Sequence, residues 1–310
     1  MFIDLLIKNI KEKNNPSVVG LDPKIEYVPT FIKEEAFKKY GKTLMGVANA
    51  ILTFNKYIID AVYDVVPAVK PQLAYYEMYG LEGLKAFYET CRYAKEKGLL
   101  VIADGKRNDI GSTAESYSAA FLGKTKIEDI EEAAFDVDAL TVNPYLGIDG
   151  IKPFIKDCDK YNKGIFILVK TSNESSGQFQ DILTEMGKSI YEIVAQYVEE
   201  WGKELKGEYG YSSVGAVVGA TYPNQAKVLR RILKSGYILV PGYGAQGGTA
   251  KDVAHSFNPD GLGAIVNASR SIMCAYKSER WKEKYTEEKF YEASRAEALR
   301  MKEDINSVLR

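Results

Sequence analysis

Residues 99–106 read LLVIADGK: five consecutive apolar residues, then aspartate, glycine and lysine. An apolar run without polar alternation marks a strand covered on both faces, as in a parallel sheet lying between helices. The same grammar recurs outward from it, in SVVGLDP (17–23), PAVKPQLA (67–74), DALTVNPY (138–145) and GIFILVKTS (164–172). It continues in SSVGAVVGAT (212–221), GYILVPGYG (236–244) and LGAIVNASR (262–270), which makes eight candidate strands. Nearly all break into Gly, Pro, Asp, Asn or Ser. The spacers at 48–66, 81–98 and 182–205 repeat apolar residues in steps of three and four, the period of a helix with one buried face. Residues 224–236 read as a compact helix with Gly236 as its left-handed stop. Strand then helix, repeated to eight strands, closes as a (β/α)8 TIM barrel. The long spacers at 27–66 and 178–210 read as elaborated crossovers after strands 1 and 5. A doubly wound open sheet is the alternative, because periodicity does not determine closure. No linker or low-complexity segment divides the chain, so residues 1–310 read as one barrel domain.

With 46% hydrophobic and 27% charged residues, the chain holds enough apolar material for a substantial core. A formal net charge of −1 supplies no basic field to recruit nucleic acid or an anionic membrane. Cys91, Cys158 and Cys274 are far apart, with no CxxC pair, and read as free thiols of a reducing compartment. The opening MFIDLLIKNIKEKNN is too charged for a signal-peptide core, and Ile3, Leu6, Ile7 and Ile10 recur at helical spacing. No apolar run approaches membrane-spanning length, so a cytoplasmic protein is expected. His255 is the only histidine, which excludes a multi-histidine zinc site and a Ser-His-Asp triad within one chain. There is no GxxxxGK[ST] loop, and GYGAQGG lacks the dinucleotide-binding spacing. No metal or organic cofactor is expected, although carboxylates alone suffice for magnesium.

If 99–104 is a strand, Asp104 and Lys106 point the same way, into the C-terminal mouth of a barrel where active sites form. Asp109 follows three residues later, and Ser112-x-x-Glu115 reads as a capping box that starts the next helix near Thr113. One reading is a surface ion-pair cluster. The other is chemical: flanking carboxylates keep Lys106 protonated when substrate excludes water, as a general acid beside a forming carbanion needs.

The stretch DGKRNDIGST (104–113) resembles the Asp-x-Lys-x-x-Asp-Ile-x-x-Thr signature of orotidine 5'-phosphate decarboxylases. LDP, VKPQLAYYE, VNPYLG, KTSN and VPGYGAQGG extend the resemblance over most of the chain, especially to the longer bacterial branch. It implies decarboxylation of orotidine 5'-phosphate to UMP and carbon dioxide, the last step of de novo UMP synthesis, without a cofactor. By the same resemblance Asp22 and Lys70 address ribose hydroxyls, Lys70 also joins the charged network, and Lys106 beside Asp104 protonates C6. Asp109, Ile110 and Thr113 would reach into the neighbouring subunit's site, which implies a homodimer. Ser172 would contact the pyrimidine, while Gln246 and Arg270 would grip the phosphate. Asn143 and Tyr243 read as mouth residues without assigned roles. Two departures stand out: Glu174 where the bacterial branch usually has proline, and Ser269 where glycine often precedes the arginine. A magnesium-dependent sugar-phosphate decarboxylase or aldolase remains an alternative, as does a non-catalytic nucleotide-sensing barrel. Ile110, Thr113, Ser172 and Gln246 favour the nucleotide substrate, and intact Lys106, Asp104 and Asp109 favour catalysis.

Overall fold

Eight parallel strands close on themselves in the computed structural model, which describes residues 1–244 and 247–309. The barrel strands are β1 (Ser17–Leu21), β2 (Ala68–Pro71), β3 (Leu100–Arg107) and β6 (Ala139–Val142). They continue with β7 (Gly164–Lys170), β8 (Ser212–Val218), β9 (Gly236–Val240) and β10 (Ala264–Ala268). Ser17 lies opposite Val266, so β10 pairs with β1 and the open-sheet alternative falls. β4 (Thr125–Ile127) and β5 (Ile130–Glu132) form an antiparallel hairpin outside the barrel that the apolar runs did not announce, because all six residues are exposed.

The pleat sorts each strand between two cores. Val101 and Ala103 pack under the surrounding helices, while Leu100 and Ile102 join a separate inner cluster. Phe2, Ile3, Leu6, Ile7 and Ile10 of the N-terminal helix Phe2–Lys13 belong to that inner cluster, so this helix plugs the barrel opposite the mouth. Gly164 opens β7 against the plug, and a Cβ there would stand 2.2 Å from the Phe2 ring, which is itself 1% exposed. Gly164→Ala should therefore destabilise the fold by ~1–3 kcal/mol through overpacking, read as a lower denaturant midpoint. An unchanged midpoint would contradict the plug's tight seating.

Both long crossovers are elaborated as expected. The first holds helices Thr30–Tyr40 and Leu44–Val62, the second capped by Thr43, whose side chain accepts from the Gly46 N–H. After β7 the helical reading of 182–205 holds for Ile190–Trp201 and a 3-10 turn at Lys203–Leu205. Residues 182–189 instead turn back, with the Thr184 N–H donating to Lys188 O at 2.9 Å. A reciprocal capping box between Ser189 and Glu192 then sets the helix start. The helix expected to stop at Gly236 ends at Ile232. Gly236 begins β9, its N–H held by the Glu199 carboxylate at 3.0 Å, and its φ is not left-handed. Among the described residues, no helix is long and apolar enough to cross a membrane.

Candidate active site

The C-terminal ends of the strands surround a cavity of about 630 Å³. Leu168, Val217 and Leu239 form its apolar floor, and Asp22, Lys70, Asp104 and Lys106 charge one wall. Lys70 and Asp104 extend the inward parity of Ala68 and Ile102 by one step, which carries them above the apolar layer.

Asp104 is the hub of that wall. Its Oδ2 accepts from Lys70 Nζ at 2.7 Å, and its Oδ1 accepts from Lys106 Nζ at 2.6 Å and Thr141 Oγ1 at 2.9 Å. Burial works against its charge, but the ammonium groups of Lys70 and Lys106 prevail and hold the carboxyl far below its ordinary range. Burial likewise works against the Lys70 ammonium, yet Asp104 and Asp22 outweigh it and leave its pKa raised. Both groups thus stay charged at neutral pH. Asp22 behaves differently: its carboxyl is raised by burial, with Lys70 and Ser269 opposing. Its Oδ1, like Asn267 Oδ1, is a buried acceptor with no donor among the described residues. Two such acceptors on a cavity wall suit hydroxyl-bearing ligands.

Lys106 takes a left-handed φ of 47°, and the pairing of β3 with β6 shifts register between Ala103 and Arg107. A strained non-glycine residue at a strand end is the kind of feature that surrounding contacts must impose. Here Thr141 imposes it, because its Oγ1 accepts from the Lys106 N–H at 3.0 Å while donating to Asp104. Thr141 has no counterpart among the residues inferred from the sequence. Its only signal was inward parity near the end of DALTVNPY.

The expected pair of carboxylates around one lysine is not what a single chain contains. One carboxylate, Asp104, lies between two lysines, and Asp109 Oδ1 accepts instead from the Ile110 N–H at 2.7 Å. The expected Ser112–Glu115 capping box is not formed among the described residues: the helix runs Gly111–Phe121 with Ile110 at its N-cap and no side-chain cap. Asp109, Ile110 and Thr113 do not line the cavity, and Ile110 is 56% exposed.

Ser172 lines the cavity beside Thr171 and Asn173, and Arg270 lines it at the end of β10. Gly219 gives Ser172 room, since a Cβ there would stand 2.8 Å from the serine Cα. Gln246 lies outside the described residues. The loop leading to it turns through Gly242 and Gly244 at φ 96° and 72°, conformations that favour glycine. Tyr243 lines the cavity and donates its hydroxyl to Asp304 of the C-terminal helix, Phe290–Leu309. Ser269, in place of the frequent glycine, accepts from Asn267 Nδ2 at 3.3 Å. Asn143 does not reach the cavity; its Oδ1 accepts from the Tyr145 N–H at 3.0 Å. His255 is exposed, away from these groups. Among the described residues, no three His, Cys, Asp or Glu side chains are grouped as metal ligands.

The chain as a whole is similar to known proteins. The sequence model of the orotidine 5'-phosphate decarboxylase / HUMPS family matches residues 33–285. An orotidine 5'-phosphate decarboxylase of Caldicellulosiruptor saccharolyticus is 44% identical over 308 residues, covering 99% of each chain. One from Rhodopirellula baltica is 44% identical over 287 residues, covering 93% of each. Among solved structures, Leishmania donovani OMP decarboxylase superposes with a TM-score of 0.73 at 28% identity, over 99% of this chain and 98% of its own. The chain belongs to the orotidine 5'-phosphate decarboxylase family and has its activity, the decarboxylation of orotidine 5'-phosphate in pyrimidine biosynthesis.

Proposed function

We propose that Lys106 is the proton donor of this reaction and that Asp104 holds it charged and aimed. The carbon–carbon bond from C6 to the substrate carboxylate breaks, its electron pair stays on C6, and carbon dioxide leaves. The Lys106 ammonium then gives a proton to C6, producing UMP, and the neutral amine is reprotonated from water. The observation that carries this reading is the Lys70–Asp104–Lys106 array at one wall of the cavity, both amines within 2.7 Å of one carboxylate. Such an array favours an anionic carbon beside the ammonium over the substrate's ground-state carboxylate beside Asp104. Asp22 and Lys70 would take the ribose hydroxyls and Ser172 the pyrimidine. Gln246 and Arg270 would grip the phosphate, and that remote binding energy would help organise the site for reaction. The partners in this reading are orotidine 5'-phosphate, UMP and a second copy of the chain. Asp109, Ile110 and Thr113 of that copy would complete the site, in keeping with their position outside their own chain's cavity.

Loss of orotidylate absorbance on adding purified protein tests the reaction, and an unchanged rate with a chelator separates it from a magnesium-dependent sugar-phosphate chemistry. Gln246→Ala and Arg270→Ala should each cost ~2–5 kcal/mol of productive binding, roughly 30-fold to several thousand-fold. The loss should appear with orotidylate and be nearly absent with orotidine, which lacks the phosphate. Equal losses on both substrates would remove the phosphate assignment.

A further inference from the structure

Lys170 is the last residue of β7, and it is 0% exposed. The pairing of β7 with β8 shifts register between Leu168 and Lys170. A bulge of this kind re-aims a side chain. Lys170 accordingly does not line the cavity that Leu168 floors. Its ammonium donates to Asp181 Oδ1 at 2.7 Å and Ser176 Oγ at 3.1 Å, and it stands 4.4 Å from the centre of the Tyr222 ring. Asp181 and Ser176 belong to the loop after β7, whereas Tyr222 follows β8. The two loops are also joined directly, by Tyr222 OH donating to Asn173 O at 3.1 Å and Thr221 Oγ1 to Ser172 O at 3.2 Å. Gln180 closes the inner turn, accepting from the Thr171 N–H at 3.0 Å and donating to Thr171 Oγ1 at 2.8 Å.

A fully buried ammonium tied to one carboxylate, one hydroxyl and two ring faces, Tyr222 at 4.4 Å and Tyr191 at 5.7 Å, is costly unless all of them stay in place. Here they come from the loop after β7, whose inner edge at Thr171, Ser172 and Asn173 lines the cavity, from the loop after β8, and from Tyr191 at the start of helix Ile190–Trp201. We propose that Lys170 is a positioning residue, a latch that fixes the loop after β7 against the loop after β8 and so presents Ser172 to the substrate. The inference rests on the assignment of Ser172 to the pyrimidine. Lys170 touches no substrate in this arrangement and acts through the loop it holds.

Asp181→Asn, at the half-exposed end of the pair, keeps the fold while leaving the ammonium without its counter-charge. Lys170→Met removes the charge and keeps the length. In either protein, amide hydrogen exchange over 171–181 should quicken at least tenfold, and the KM for orotidylate should rise more than kcat falls. Asp181→Glu should restore both. In the unaltered background Ser172→Ala lowers kcat/KM by some factor; in Asp181→Asn that factor should shrink toward one, because the serine is no longer presented. Unchanged exchange over 171–181 overturns the latch whatever Ser172 does. Quickened exchange with an undiminished Ser172→Ala factor overturns its positioning role. Quickened exchange with Ser172→Ala costing nothing in the unaltered protein leaves the latch standing and removes the Ser172 assignment instead.

Discussion

Lys106→Ala should fold as the unaltered protein does and turn over no measurable orotidylate. The side chain sits above the apolar floor, 44% exposed, and contributes to neither core. Its removal therefore leaves the plug and the helix-covered layer intact, and circular dichroism should be unchanged. Catalytically it removes two things at once. The general acid itself is worth ~10²–10⁴-fold. Beyond this, Asp104 would keep only Lys70 and Thr141 as partners, so the wall would become more negative just where a carbanion has to form. A loss beyond the general-acid range is the expected outcome. Near-normal turnover in a protein verified to be folded would end the assignment of Lys106 as proton donor.

The barrel strands were legible because burial on both faces forces a continuous aliphatic run, which survives as a sequence pattern without any tertiary knowledge. Where tertiary contacts decide, the pattern misled. Apolar residues at helical spacing run through 182–189, yet the turn at 184–188 and the Ser189–Glu192 box start the helix later. Ser112 and Glu115 have capping-box spacing, but the chain enters that helix with Asp109 accepting from the Ile110 N–H. The lysine–carboxylate core was legible for a different reason. Asp104 and Lys106 stand two apart on one strand, and strand parity puts them on one side. The contacts of Thr141 in the site and of Lys170 in the loop beside it were not legible. Thr141 matters only because β6 pairs beside β3, and Lys170 only because a bulge turns it toward a loop eleven residues away.

A mixture of two inactive proteins, Lys106→Ala and Asp109→Ala, should regain activity once their subunits exchange. Asp109 follows Lys106 by three residues, yet within one chain it neither pairs with that lysine nor lines its cavity. Ile110 beside it exposes more than half of its surface, and Thr113 is exposed on the first turn of the helix. Three residues of one signature that do not line their own chain's cavity fit a site completed by a second copy. A closed two-fold pair contains two reciprocal sites. In a mixed dimer one site then carries both defects, and the other combines intact Lys106 with intact Asp109 from opposite chains. Recovery should therefore reach at most about half of the sites in each heterodimer. Native mass measurement has to show the heterodimers first, and each protein alone has to stay inactive after the same treatment. Sites contained in single chains give no route to recovery, since every chain in the mixture has lost either its lysine or its aspartate. Confirmed heterodimers without turnover would reject the shared site and leave Asp109 to be explained by its contact with the Ile110 N–H alone.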